Sequence, residues 1–129
     1  MASKLPKLET VMNKADGKLT PIVRAMIPCC EACGNPTQVA HHWIEKSRSN
    51  YLRYDLRNLI ALCQSCHTKI HNLFGSSVTN SLDVAEIIIA KRGKKWRKQL
   101  DKDSAVLIKK DVYWAMEQLE RLQKLQDEL

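Results

Sequence analysis

The chain has 129 residues, room for one domain and hardly for two, with 5% aromatic residues and a single Phe. Lys and Arg number 21 against 14 Asp and Glu, a formal charge of +7 that favours an anionic partner, with nucleic acid the commonest. The apolar run 84–90 is interrupted by Glu86 and too short to span a membrane, and the first 20 residues lack the apolar stretch of an export signal, so a soluble, cytoplasmic protein is expected.

Residues 1–27 read as a loosely structured basic lead-in. Lys14-Ala15-Asp16-Gly17-Lys18 is a turn candidate, and Pro21 and Pro28 argue against a long helix running on to the cysteines. Residues 28–75 hold all the Cys and His. Within them, residues 39–44 and 58–62 are short and apolar and read as two strands, joined by a polar loop over 45–57. A helix is predicted from Gln64 to about Leu73 or Phe74, with Gly75 placed to end it. Residues 76–129 read as a separate helical layer. Asn80 or Ser81 would cap a helix running through Ala90, and Gly93 would mark its end. A basic stretch over 91–98 follows, and Asp103 or Ser104 would cap a long final helix. Ile108, Val112, Ala115, Leu119, Leu122 and Leu129 recur there at three-to-four spacing. Core packing is their simplest use; Leu119, Leu122 and Leu129 along a homodimer seam are the alternative.

Cys30-Glu31-Ala32-Cys33, followed by Gly34, and Cys63-Gln64-Ser65-Cys66 form two CxxC pairs. Four thiolates suit tetrahedral Zn²⁺ with no open position, a structural staple that does no chemistry itself. Without an export signal, free or disulfide-bonded cysteines carry less weight. Cys29 fits only a stretched CxxxC and is left as a free thiol. Such a staple would tie the loop before the first strand to the start of the helix, and so fix whatever lies between.

The histidines lie there: His41, His42, His67 and His71. His67 and His71, four apart on a helix, share a face at about 5–6 Å. His67 points roughly 100° away from Cys66 around the same helix, so thiols and imidazoles can serve two different metals. His41 and His42 are adjacent on a strand and point to opposite sides, so one can bind metal while its neighbour meets a substrate. Any one of these histidines alone would be read as a surface or core residue; the doublet with the helical pair, inside a Cys₄ frame, points to a site. Phosphodiester hydrolysis needs a metal at the phosphate and a base near neutral pKa to deprotonate water. A histidine-rich site accepts Mg²⁺ weakly and takes Mn²⁺, Ni²⁺ or Zn²⁺ readily.

Ala40-His41-His42-Trp43, followed by Arg57-Asn58-Leu59-Ile60-Ala61-Leu62-Cys63-Gln64-Ser65-Cys66-His67, resembles the motif of the HNH (ββα-metal) endonucleases. The His and Asn spacing is similar to that of the nuclease colicins, which lack the cysteines. The cysteine frame is similar to the larger HNH group and to a phage resolvase family with a Cys₄ zinc. The resemblance covers residues 30–71. It implies an α+β, mostly helical fold, with a small zinc-stapled ββα-metal core followed by C-terminal helices. It implies a metal-dependent DNA endonuclease leaving 5′-phosphate and 3′-hydroxyl ends. His42 would be the general base, His41 and His67 the ligands of the catalytic divalent metal with His71 a third, and Asn58 a brace for the loop carrying the base. Many members have Asp where His41 stands, which weakens the case for activity with Mg²⁺ alone. Residues 53–58, the CxxC helix start, Lys91-Arg92-Gly93 and Tyr113-Trp114 also resemble NinG-type phage recombination proteins, which implies a phage setting.

Lys46, Arg48, Arg53 and Arg57 crowd the loop facing the histidines and are candidate phosphate clamps, as are Lys94, Lys95, Arg97 and Lys98 around Trp96. These contacts read backbone rather than sequence, so steep salt dependence is expected. The competing expectation is a non-catalytic, zinc-stabilised DNA-binding or scaffold module of a phage recombination or packaging complex. A third is a nuclease that is feeble outside such a complex.

Overall fold

The computed structural model describes residues 4–71 and 78–129, with side chains from residue 84 onward in the second stretch. Helix α1 spans Leu8–Met26, strands β1 and β2 span Val39–His42 and Leu59–Leu62, and helix α2 spans Gln64–His71. Helices α3 (Val78–Arg92), α4 (Lys94–Asp103) and α5 (Val112–Glu128) complete the chain. The class is α+β and mostly helical, as the sequence predicts. Among the described residues, no helix is long and apolar enough to cross a membrane.

The two strands pair antiparallel, with His41 opposite Ile60 and His42 opposite Leu59. β2 is buried on both faces and divides its side chains by the two-residue period of a strand. Leu59 and Ala61 join a core built from α1 and α5, around Ala15, Leu19, Ile22, Val23, Tyr54 and Leu122. Ile60 and Leu62 join a second core with Cys30, Cys63, Cys66, Val84 and Ile88. The outer edge of β2 is closed by an ion pair. Arg92, at the end of α3, binds Glu31 of the first CxxC at 2.8 Å and donates to the Leu59 carbonyl, while Glu31 accepts from the Ala61 amide. An exposed edge is thereby blocked.

Residues 1–27 are not a loose lead-in. α1 buries Val11, Met12, Ala15, Leu19, Ile22 and Val23, and the turn expected at 14–18 lies inside it together with Pro21. Helical spacing of the apolar residues overrides two local breakers. β1 stops at His42 instead of Ile44, and Asn58 belongs to a 3-10 turn, Leu56–Asn58, rather than to β2. α3 begins at Val78, so Asn80 and Ser81 stand inside it and do not cap it. Leu73, Phe74 and Gly75, where α2 was expected to end, lie outside the described residues.

Gly93 does end α3. Its φ of 97° suits only glycine comfortably, and its amide closes on the Ile89 carbonyl. The final helix starts at Val112, capped by Asp111 accepting from the Trp114 amide; Asp103 instead closes α4. The C-terminal helices form no separate layer, because α3 packs on the cysteine core and α5 on α1. Leu119 and Leu122, the candidates for a dimer seam, pack into the cores with α1, and Leu129 is exposed.

Candidate metal centres and active site

The sheet explains where the histidines point. Val39 packs on the cysteine core and Ala40 on the α1 core, so His41 follows Val39 toward α2 and His42 follows Ala40 toward α1. His41, His67 and His71 converge, with one ligand nitrogen from each within 4.8 Å of the others. The His67 and His71 Nε2 atoms are 2.9 Å apart, and the His41 ring stands edge-on to both. Burial, reinforced by the neighbouring His71 and His67, pushes the His41 pKa down to about 3; burial also lowers His67. These imidazoles are therefore neutral near pH 7, the form that coordinates a metal. Three convergent imidazole nitrogens fit a divalent cation with positions left open for other ligands.

The thiols form a second cluster. Cys30, Cys33, Cys63 and Cys66 place their sulfurs within 4.8 Å of one another, with Cys33 and Cys63 at 3.5 Å. A tetrahedral site with Zn–S near 2.3 Å separates its sulfurs by about 3.8 Å, so the set fits zinc. Burial opposes ionisation of Cys30, but backbone hydrogen bonds from Cys63, Cys33 and Ala32 outweigh it and bring that thiol down to about 7. Burial and the adjacent sulfurs push Cys66 up. Four thiolates at this spacing require a cation among them. Cys29 is exposed and outside the cluster.

His42 stands apart from both clusters. Its Nε2 donates to the Arg53 carbonyl at 2.9 Å, which fixes the tautomer and leaves Nδ1 with a lone pair. Burial lowers its pKa, against the pull of that carbonyl. Asn58, fully buried, braces the loop between the strands: Oδ1 accepts from the Ile44 amide at 2.7 Å, and Nδ2 donates to the Ile44 and Leu52 carbonyls.

His41, His42, His67 and His71 all border one cavity of about 400 Å³. Its remaining wall comes from Glu45 and Lys46 and, unforeseen in the sequence, from Asp16, Leu19 and Thr20 of α1. The Ala15–Leu19–Ile22 spacing was the available signal for that helix. Among the expected phosphate clamps, Lys46 is at the cavity and Arg48 is exposed. Arg53 is instead paired bidentately with Asp16, and Arg57 binds Asp55 and Asp103, so carboxylates already occupy both guanidinium groups. Lys94, Lys95, Arg97 and Lys98 are exposed on α4.

Compared with known families, residues 30–73 match the model of the HNH endonucleases. This segment is similar to an HNH endonuclease domain. The match spans both CxxC pairs, the His doublet, Asn58, His67 and His71, and assigns the segment to a nuclease family. No curated protein and no solved structure matches the chain, and the NinG resemblance finds no counterpart in these comparisons.

Proposed function

We propose that the chain is a metal-dependent DNA endonuclease whose HNH domain hydrolyses phosphodiester bonds to 5′-phosphate and 3′-hydroxyl ends. The observation that carries this reading is one imidazole, His42, whose Nε2 is held by the Arg53 carbonyl and which borders the cavity that three converging imidazoles also border. His42 takes the proton from the attacking water at Nδ1, since Nε2 already donates to Arg53. His41, His67 and His71 hold a divalent cation, with Mn²⁺, Ni²⁺ or Zn²⁺ favoured over Mg²⁺ by nitrogen donors. Bound there, it supplies positive charge to the scissile phosphate and the leaving oxygen. Lys46 offers a cation at the cavity mouth for an adjacent phosphate, and Asn58 holds the loop so that the His42 ring stays in place. The four cysteines bind structural zinc and keep α2 in register with the sheet.

Nicking of supercoiled plasmid across Mg²⁺, Mn²⁺, Ni²⁺ and Zn²⁺ tests the reading. His42→Ala should lose at least about 100-fold in rate, the usual scale of a general base, with DNA affinity and metal stoichiometry kept. A metal-loaded wild-type protein that binds plasmid and nicks it with none of these ions would overturn the proposal in favour of a DNA-binding module.

A further inference from the structure

The carbonyl that orients His42 belongs to Arg53, in the loop between the strands, and that loop is held from outside the HNH segment. The Arg53 guanidinium reaches 37 positions back to Asp16 on α1, with Nε donating to Oδ1 at 3.1 Å and Nη2 to Oδ2 at 2.6 Å. A two-point bond of this kind fixes the plane and direction of the side chain as well as its distance. The two side chains are 17% and 22% exposed, so this is not the solvated surface pair that contributes almost nothing.

The neighbours of Arg53 have anchors of their own. The Leu52 carbonyl accepts from the Asn58 side-chain amide, and the Tyr54 hydroxyl donates to the Met12 carbonyl at 3.1 Å. These restrain the chain on either side, while the Asp16 pair acts on Arg53 itself. Asp16 borders the same cavity as the histidines.

We infer that Asp16 is a positioning residue for His42: from α1 it holds Arg53, and through the Arg53 carbonyl it fixes the His42 ring with Nδ1 free. The inference rests on the nuclease reading for its kinetic consequence, and on geometry alone for its structural one, so the two can fail separately.

The structural arm uses ¹⁵N-histidine-labelled protein without DNA, the His42 ring signals being those absent from His42→Gln. Wild type should show a fixed Nε2–H tautomer, and Asp16→Asn a mixture of the two tautomers. The kinetic arm is plasmid nicking, in which Asp16→Asn should lower kcat about tenfold, the lower range for a residue behind a reacting group, with KM and metal stoichiometry unchanged. Asp16→Glu, which keeps the carboxylate, should restore part of both. An Asp16→Asn protein with wild-type near-UV circular dichroism and an unaltered His42 tautomer overturns the inference, whether or not the protein cuts DNA. A fixed ring in a wild type that never nicks leaves the positioning role standing and removes the nuclease reading. Should Asp16→Asn not fold, Arg53→Lys, which keeps the charge and loses the second bond, carries the same readouts.

Discussion

Asn58 uses its whole amide on one short stretch of backbone. The Ile44 amide and carbonyl and the Leu52 carbonyl all depend on it, and the side chain is fully buried. Removing it strands these groups where water does not replace it. Asn58→Ala should therefore cost about 2–4 kcal/mol, from unsatisfied buried groups together with a cavity. Asn58→Asp should do no better, because a carboxylate has nothing to donate to two carbonyls. Urea denaturation measures both as a fall in midpoint; an alanine variant as stable as its parent would remove the bracing role. Such roles were only partly legible. The convergence of His41, His67 and His71 follows from two local periodicities, strand and helix, and local periodicity is what a sequence displays. Arg53 and Arg57 looked like phosphate clamps because nothing near them in sequence announces Asp16 or Asp103 as partners. Pairing over such separations is set by how α1 and α4 pack, and no local pattern encodes it.

At the scale of elements, α1 shows how a count of breakers misleads. Gly17 costs about 1 kcal/mol in a helix interior and Pro21 about 3. Val11, Met12, Leu19, Ile22 and Val23 are all buried, at roughly 1.5–3 kcal/mol each, and together they win. Their worth depends on α5 and β2 being there to cover them, so local propensity underrates the helix. The short elements of the HNH segment have the opposite problem: β1 and β2 are four residues each and cannot persist alone. The thiol cluster joins the loop ahead of β1 to the first turn of α2, and α2 carries two of the three converging imidazoles. Cys63→Ser should consequently lose one equivalent of zinc and, with it, the fixed packing of the second core. Metal analysis and near-UV circular dichroism of the tryptophans check this, since Trp43 and Trp96 border that core. A zinc-free Cys63→Ser protein with native near-UV signal would show that the staple is not what holds the fold.

For the whole molecule, the charge of +7 matters through its placement. α4 is fixed to the loop that follows His42 at several points: Arg57 pairs with Asp103 at 3.0 Å, the Trp96 indole donates to the Arg57 carbonyl at 2.8 Å, and Trp43 packs on Trp96. Leu100 is buried beneath it with Ile44 and Leu52. Lys94, Lys95, Arg97 and Lys98 project from the same helix into solvent, so a cationic surface and the histidine cavity are carried by one packed unit. DNA phosphates held by that surface would release counterions on binding, and each contact would steepen the dependence of log affinity on log salt by about 0.9. Replacing all four residues by Ala removes none of the anchoring contacts of α4, so the fold should persist. It should flatten the salt slope by up to about 3.6 and weaken duplex binding at low salt, with kcat at saturating DNA near that of wild type. Fluorescence anisotropy over a salt series measures the slope. A slope unchanged by the fourfold substitution would move the DNA off α4 and leave Lys46 and Arg48, nearer the histidines in sequence, as the cations that meet the backbone.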